Sequence, residues 1–210
     1  MTIAMYTGTT GSGKSAHAAS VIRFELMVGR PVVANFEINK GLVKHPELFH
    51  YVPNEELSAE RIEQIARDYW SAPDAPTFRE DGLTLILDEA QLLFNSRCWQ
   101  QKGRNRYLQF LSQSRKAGYF VILVTQNSRM IDNQFRMLVD YEVNHRKLGQ
   151  MGLIGELLDL LTFHRLMCRV KSNYQCNEHI GTSFAIARRK DWELYDSYKT
   201  FEGSFGANGA

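Results

Sequence analysis

The sequence predicts one α/β domain in which helices flank a central, mainly parallel β-sheet. Three observations support this class. A glycine-rich loop at 8–15 stands between a short apolar run and a helix-compatible segment. Two later runs, 83–87 and 119–124, are almost wholly apolar, as is typical of strands buried on both faces of a parallel sheet. A chain of 210 residues, 44% of them apolar, has room for one full core of this kind.

The glycine-rich loop reads Gly-Thr-Thr-Gly-Ser-Gly-Lys-Ser, which is a phosphate-binding pattern. Glycines let the backbone curl around a phosphate, and successive N–H groups then point inward at the start of a helix. We expect a nucleoside triphosphate to be bound by Gly8, Thr10, Gly11, Ser12, Gly13, Lys14 and Ser15. Lys14 would reach the β- and γ-phosphates, and the Ser15 hydroxyl would bind Mg²⁺. A chance match is disfavoured by the order of strand, loop and helix.

The next elements follow from apolar spacing and from helix-stopping residues. A first helix is predicted at 15–28, where Gly29-Arg30-Pro31 ends it, and a second buried strand at 31–36. The polar stretch that follows contains a helix at 58–70 with apolar residues on one face. A surface loop at 71–82 then leads to the apolar run 83–87.

The apolar run 83–87 ends in two adjacent carboxylates, Asp88 and Glu89. Ligands of open α/β sheets bind at this carboxyl edge of the strands. Because strand side chains alternate in direction, we expect the two acids to do different work. Asp88 would complete the Mg²⁺ shell beside Ser15, and Glu89 would orient or deprotonate the attacking water. The pair favours an ATP-hydrolysing protein over a GTPase or a simple kinase.

A stretch without acidic residues follows, from 90 to 131. It contains seven basic residues among aromatic and amide side chains: Arg97, Lys102, Arg104, Arg106, Arg115, Lys116 and Arg129. Such a strip, which we call the basic strip (97–116), would attract a DNA backbone. Its alternative is a solvated loop and helix face, since a helix is predicted at 104–117. The overall formal charge of +2 does not decide between them.

The apolar run 119–124 ends in the polar residues Thr125 and Gln126. We expect these two beside the γ-phosphate, where a polar sensor would detect its loss. A strand placed after the acidic one indicates the additional-strand class of P-loop ATPases, in which it lies between the first and the acidic strands. The predicted strand order is therefore near 5-1-4-3-2, on a core formed by residues 1–138.

Residues 139–202 are predicted to form a β-rich extension of the same domain, with strands at 139–148 and 163–171, followed by a flexible tail at 203–210. The apolar stretch 153–161 between these strands is either a core helix or an exposed contact patch. Three cysteines favour reduced thiols over a disulfide framework. A zinc site from His164, Cys168, Cys176 and His179 is a weaker alternative to two unrelated pairs. With no apolar run of membrane length and no signal peptide pattern, a cytoplasmic location is expected.

Several motifs together resemble the zonula occludens toxin (Zot)-like domain, the cytoplasmic ATPase part of filamentous-phage assembly proteins. The motifs are 8–15, Ile-Leu-Asp-Glu-Ala-Gln at 86–91, Ser-Arg-Cys-Trp at 96–99, Ser-Arg-Lys-Ala-Gly-Tyr at 114–119 leading to Val-Thr-Gln, the segment 130–139, and Leu-Tyr-Asp-Ser-Tyr-Lys at 194–199. This family looks like a branch of the FtsK/HerA-type DNA-pumping ATPases. The resemblance spans about residues 2–200.

The resemblance implies Mg²⁺-dependent ATP hydrolysis that drives phage extrusion or assembly at the host inner membrane. The expected partners are copies of the chain in a ring, phage assembly machinery or host inner-membrane proteins, and DNA at the basic strip. Ring ATPases complete their site with a neighbour's arginine, for which Arg129 and Arg136 are candidates; DNA contacts or surface ion pairs are the alternative. The family continues into a membrane anchor, which this chain does not contain.

Two other functions remain open at this point. One is a genome-packaging DNA translocase of a non-tailed virus, which would use the same core to pump DNA inward. The other is a nucleotide-dependent assembly scaffold that does not touch DNA.

Overall fold

The structure is a computed structural model that describes residues 2–95, 103–147, 162 and 166–195. Its strands are β1 (Thr2–Thr7), β2 (Val32–Ala34), β3 (Phe49–Tyr51), β4 (Leu83–Leu87), β5 (Tyr119–Val124), β6 (Tyr141–Lys147), β7 (Leu166–Asn173) and β8 (His179–Ile186). Its α-helices are α1 (Lys14–Met27), α2 (Ala59–Ser71), α3 (Arg104–Gln113), α4 (Asn133–Arg136) and α5 (Arg189–Leu194).

All eight strands form one sheet, in the order β3-β2-β4-β5-β1-β6-β7-β8. The strands from β3 to β6 pair in parallel, and β7 and β8 are added in antiparallel fashion. If the three-residue edge strand β3 is left out, β6-β1-β5-β4-β2 is the predicted order 5-1-4-3-2. The fold class is therefore confirmed, with β5 between the first and the acidic strands. The carboxyl ends of β4, β5, β1 and β6 consequently meet at one edge.

Both faces of the central strands are buried, which explains their continuous apolar sequences. Ile3, Leu85 and Val121 face a core that is closed by α2 and α3. Ala4, Ile86 and their neighbours face a second core that is closed by α1. Burial on both faces fixes the register of β1, β4 and β5 relative to one another. The register in turn fixes the position of the loops that follow their carboxyl ends.

Most predicted elements lie close to their expected bounds. Helices α1 and α2 each begin and end within a residue of the predicted limits, and Ser58 caps α2 by accepting a hydrogen bond from the Arg61 N–H at 3.1 Å. The helix expected at 104–117 is α3 followed by a 3-10 turn at Ser114–Ala117. Strands β3 and β8 were not predicted, because β3 is very short and β8 lacks a buried face that would give it a clear alternation.

The zinc alternative gains no support from the described residues, among which no group of three or more His, Cys, Asp and Glu side chains could hold a metal ion. Cys168 is buried in β7, whereas Cys176 is exposed in the turn before β8. His164, the apolar stretch 153–161 and the tail 203–210 lie outside the described residues. Within the described part of the chain, no helix has the length and apolar character needed to cross a bilayer.

Candidate functional site

The glycine-rich loop runs from the end of β1 to the start of α1 and has the tight backbone that its sequence predicts. Gly8, Gly11 and Gly13 have φ angles of +140°, +73° and +94°, a region that L side chains rarely adopt. A Cβ on Gly8 would collide with the His145 carbonyl oxygen, and one on Gly13 would lie 2.8 Å from Met167 Cγ. Glycine is therefore required here both for backbone conformation and for close packing against β6 and β7.

The loop has the features of an anion cradle. It leads into the N-terminus of the 14-residue helix α1, where backbone N–H groups and the helix dipole favour negative charge. The Ser12 hydroxyl is buried and has no hydrogen-bond partner among the described residues. The Lys14 ammonium donates to the carbonyls of Gly8 at 2.8 Å and Thr9 at 3.0 Å, and so lies over the loop. These residues fit a triphosphate.

A second lysine, Lys147 at the end of β6, approaches the same loop. Its Nζ lies 3.3 Å from the position that a Cβ on Gly11 would occupy. Lys147 also helps to lower the pKa of Lys14, although burial of Lys14 is the largest cause and Asp88 and Glu89 oppose it. Two lysine cations thus lie against the loop, Lys14 at Gly8 and Thr9 and Lys147 at Gly11. Sequence reasoning did not find Lys147, because nothing in the local sequence of β6 marks it.

Asp88 lies directly after β4, and hydrogen bonds hold both its carboxylate and its backbone. Its Oδ1 accepts from the Glu89 N–H at 2.9 Å, and its Oδ2 accepts from the Tyr195 hydroxyl at 2.7 Å. Its backbone N–H and carbonyl pair with the Asn35 side chain at 2.8 and 2.9 Å. Burial raises the pKa of Asp88, and the hydrogen bonds from Tyr195 and Glu89 oppose that rise by stabilising the charged form, as does the charge on Lys14.

Glu89 adopts a left-handed backbone conformation, with φ 48° and ψ 44°. The two adjacent acids have separate side-chain partners, Tyr195 for Asp88 and Gln91 for Glu89. The Glu89 carboxylate accepts a short hydrogen bond from the Gln91 amide. Gln91 is buried, and its carbonyl accepts from the Thr125 hydroxyl at 2.7 Å. Glu89 is therefore connected to the end of β5 through one intervening side chain.

Thr125 and Gln126 lie at the carboxyl end of β5, beside the loop. Thr125 is buried, and Gln126 is exposed. The Gly8 N–H donates to the Gln126 carbonyl at 3.3 Å, and the Thr125 N–H donates to the Tyr6 carbonyl at 3.0 Å. The two residues of the predicted sensor thus contact different parts of the site. The Thr125 side chain contacts Gln91, the partner of Glu89, and the Gln126 backbone contacts Gly8 of the loop.

The two candidate finger arginines lie farther along the chain. Arg129 is exposed, in a 3-10 turn after β5. Arg136 is half-buried at the end of α4, and its Nη2 donates to Asn133 at 3.3 Å. Among the contacts of the described residues, neither guanidinium hydrogen bonds to the loop, Asp88 or Glu89. The structure therefore does not bring either arginine into this chain's own site.

The described arginines of the basic strip are paired with acids from distant segments. Arg104 binds Asp132 at 2.9 Å, Arg106 binds Glu60 at 2.8 Å and Glu63 at 3.1 Å, and Arg115 lies 3.4 Å from Glu80. These pairs reduce the local positive charge that a count along the sequence indicates. Arg97 and Lys102 lie outside the described residues. DNA binding by the strip remains a prediction.

A buried histidine pair lies directly behind the loop. Because a carbonyl can only accept, His145 Nδ1 donates to the Thr7 carbonyl at 3.1 Å. In the neutral ring His145 Nε2 then carries no proton, so it accepts from His17 Nδ1 at 2.9 Å. The His17 ring stacks on Tyr6 with centroids 4.4 Å apart. Burial lowers the pKa of His17 to about 2 and that of His145 to about 4, with the charge of Arg169 adding to both shifts. The two neutral rings therefore pack between β1, β6 and α1.

Comparison with protein families gives one match across nearly the whole chain: the model of the family described as "Zonular occludens toxin (Zot)" matches residues 2–201. The Gene 1 protein of Salmonella phage IKe is 30% identical over 176 residues, which cover 79% of this chain and 46% of that protein. The Gene 1 protein of Enterobacteria phage fd is 26% identical over 170 residues, or 77% of this chain and 47% of that protein. The chain thus spans about half the length of the curated relatives it matches.

Solved structures show the same fold. The N-terminal domain of zonular occludens toxin from Neisseria meningitidis superimposes with a TM-score of 0.58 at 21% identity, covering 93% of this chain and 98% of that chain. The DNA-packaging ATPase from Sulfolobus Turreted Icosahedral Virus gives a TM-score of 0.54 at 14% identity, covering 89% and 98%. At these identities the likeness concerns the fold alone.

Proposed function

The chain belongs to the zonular occludens toxin (Zot) family, and from this premise we propose that it is the ATP-hydrolysing motor domain of a filamentous-phage assembly protein. One observation carries the proposal. The phosphate-type loop, the Asp88-Glu89 pair and the Thr125-Gln126 pair meet at one edge of the sheet and are joined by hydrogen bonds. A loop alone supports nucleotide binding, whereas this combination supports hydrolysis and its detection.

ATP is the proposed ligand of the loop, with Gly8, Thr10, Gly11, Ser12 and Gly13 lining the phosphates and Lys14 supplying positive charge. The buried Ser12 hydroxyl and the two glycines that exclude a Cβ support this assignment. Mg²⁺ would be held by the Ser15 hydroxyl and Asp88, and it would supply positive charge against the negative charge that develops on the phosphate oxygens. Asp88 suits this role because both of its oxygens are already oriented.

Glu89 is proposed to orient and deprotonate the attacking water. Its backbone is left-handed, and its carboxylate is positioned by the Gln91 amide, which is not a partner of Asp88. Gln126 and Thr125 would report the loss of the γ-phosphate, since one contacts Gly8 and the other contacts Gln91. A change at the phosphate would thus alter the end of β5 and the segment that follows it.

A homo-oligomeric ring is proposed as the working assembly, with Arg129 or Arg136 completing a neighbour's site. The position of Arg129, exposed and outside this chain's own site, supports a role between subunits. The proposed setting is the cytoplasmic face of the host inner membrane, alongside phage assembly proteins or host membrane partners. DNA contact is proposed for the parts of the basic strip that ion pairs leave free.

A genome-packaging translocase is the second candidate. It is favoured by the fold likeness to the viral DNA-packaging ATPase, which extends over 98% of that chain. The relatives at 26–30% identity are phage Gene 1 proteins, and they favour assembly over packaging. A nucleotide-dependent scaffold that never hydrolyses ATP would need neither Glu89 nor its network.

The proposal is tested by nucleotide binding and turnover in three variants. Lys14→Ala should lose most ATP affinity, while Glu89→Gln should still bind MgATP but turn it over at least about 100-fold more slowly, the scale of general-base catalysis. The exposed Lys44→Ala is the matched control and should behave like the unchanged chain. Binding is measured calorimetrically, so the result does not depend on ring assembly. Absence of MgATP binding by the unchanged chain would refute the assignment.

Turnover with and without DNA then separates the remaining functions. A motor that acts on DNA should hydrolyse ATP faster when single- or double-stranded DNA is added, and Lys102→Ala should weaken that stimulation. ATP turnover that DNA never changes, at any protein concentration, would exclude a DNA-pumping motor. Hydrolysis-independent oligomerisation by Glu89→Gln would instead support the scaffold.

A further inference from the structure

The last described residue of the chain, Tyr195, contacts the acid proposed to hold Mg²⁺. Resting on the proposed function, we infer that Tyr195 is a positioning residue for Asp88, and that through it helix α5 controls how well the site binds Mg²⁺ with the nucleotide. Neither residue type nor spacing in the sequence indicated this link.

The contact itself is direct and specific. The Tyr195 hydroxyl lies 2.7 Å from Asp88 Oδ2, across 107 residues of sequence. Because an ionised carboxylate only accepts, the phenol is the donor. Hydrogen bonds between a neutral donor and a carboxylate are shorter and stronger than those between neutral groups. Tyr195 therefore holds one of the two Asp88 oxygens in place.

The other Asp88 oxygen and the Asp88 backbone are also held. Oδ1 accepts from the Glu89 N–H, and Asn35 pairs with both backbone groups of Asp88. Each carboxylate oxygen has two acceptor positions, so these bonds leave one on each oxygen for a cation or its water. An acid fixed in this way needs no reorganisation to bind a cation. Hydrogen-bond partners of metal ligands generally act through such orientation.

Tyr195 is itself fixed by the docking of α5. Its ring packs against Phe36 with centroids 4.2 Å apart. The Leu194 carbonyl accepts from the Asn39 N–H at 2.9 Å, and Leu194 is buried. On the preceding turn, Asp191 forms an ion pair with Arg23 of α1 at 2.8 Å. A displacement of α5 from α1 would thus withdraw the phenol from Asp88, so the cation site depends on the docking of α5.

The test is Mg²⁺-dependent binding of a slowly hydrolysed ATP analogue to the full 210-residue chain. Tyr195→Phe keeps the ring against Phe36 and removes only the hydroxyl. We expect its affinity for the analogue in EDTA to stay within about twofold, while the Mg²⁺ concentration that gives half of the Mg²⁺-dependent gain rises about tenfold, the scale for losing one partner of a metal ligand. Tyr51→Phe, an exposed tyrosine on β3, is the control and should change neither value.

The outcomes separate this inference from the proposed function. If the unchanged chain binds no analogue, the nucleotide site itself is wrong. If it binds with Mg²⁺ dependence and Tyr195→Phe shows the same Mg²⁺ requirement, the positioning role is wrong. An equal loss of affinity with and without Mg²⁺ would indicate a purely structural role and would also overturn it.

Two further variants guard against a folding defect. Phe36→Leu leaves the hydroxyl intact but removes its ring support, and should shift the Mg²⁺ requirement in the same direction by a smaller factor. In a cycle with Asp88→Asn, Tyr195→Phe should add almost nothing, because it acts through that carboxylate. A full additional effect of Tyr195→Phe in the Asp88→Asn background would refute the inference.

Discussion

The Thr125 hydroxyl donates a 2.7 Å hydrogen bond to the side-chain carbonyl of Gln91, at the point where β5 passes the end of β4. The amide of the same Gln91 donates to Glu89. Gln91 is thus the only side chain between the end of the sensor strand and the proposed base in this path of described contacts. Both of its polar groups are used, so its orientation is fixed.

Removing this link should slow hydrolysis without weakening nucleotide binding. Gln91→Leu and Thr125→Val each remove the support of Glu89, and we expect each to lower kcat about tenfold with KM nearly unchanged, since the two side chains hydrogen bond to each other and to Glu89. Because the two act on Glu89 in series, the double variant should be little worse than the singles. Steady-state ATPase assays measure this, with exposed Gln109→Leu on α3 as the control. Strictly additive losses would contradict a shared path.

The second lysine at the loop leads to a different prediction. Lys147→Met removes one of the two lysine cations at the loop, so affinity for ATP should fall about five- to tenfold, or roughly 1 kcal/mol. The difference in affinity between Lys147→Met and the unchanged chain should narrow at high salt, because the attraction of an exposed charge is screened. Titrations at two salt concentrations test this, beside Lys190→Met, an exposed lysine on α5. Equal affinities for the two variants would show that Lys147 makes no phosphate contact.

Much of the fold could be predicted from the sequence, because its determinants are local. Continuous apolar runs identify β1, β4 and β5, and the loop at 8–15 joins the first of them to a helix. The basic strip shows the limit of such reasoning. The window 90–131 has no acids, yet Glu60, Glu63, Glu80 and Asp132 come to its arginines from outside it. A charge count along the chain cannot include partners that folding supplies.

The candidate site also has a part that the sequence predicts and a part that it does not. The loop and the acidic pair are each a continuous stretch of sequence and were predicted, whereas the residues that position them lie far away in the sequence. Asn35 lies 53 residues before Asp88, and Tyr195 lies 107 residues after it. Only the order of strands brings such residues together. Gln91 and Tyr195 do fall inside motifs that mark the family, which was the only signal for them in the sequence.

Because β7 packs against the loop, adding one methyl group to Gly13 should lower the free energy of unfolding. Gly13→Ala places a Cβ against Met167 in a backbone with φ +94°, whereas Gly29→Ala meets no atom within 4 Å at φ +77°. We expect Gly29→Ala to lower the free energy of unfolding by about 1 kcal/mol, for the backbone strain alone. Gly13→Ala should cost about 2 to 3 kcal/mol, because overpacking is added. Urea unfolding of both variants isolates the steric part, and equal costs would contradict the contact.

The buried histidine pair makes stability depend on pH. In the folded chain the pKa of His17 is lowered to about 2 and that of His145 to about 4, against about 6.5 when unfolded. Below pH 6.5 the unfolded chain therefore binds more protons than the folded one, so stability rises with pH and is lost as pH falls. Between pH 7 and 5 the free energy of unfolding should decrease by about 2 to 4 kcal/mol from these two groups.

The variant that tests this is His145→Gln, whose amide can donate to the Thr7 carbonyl and accept from His17, as the imidazole does. With one titrating group removed, the loss of stability between pH 7 and 5 should be about halved in urea unfolding experiments. An unchanged slope for His145→Gln would mean that carboxylates, and not this pair, cause the decrease.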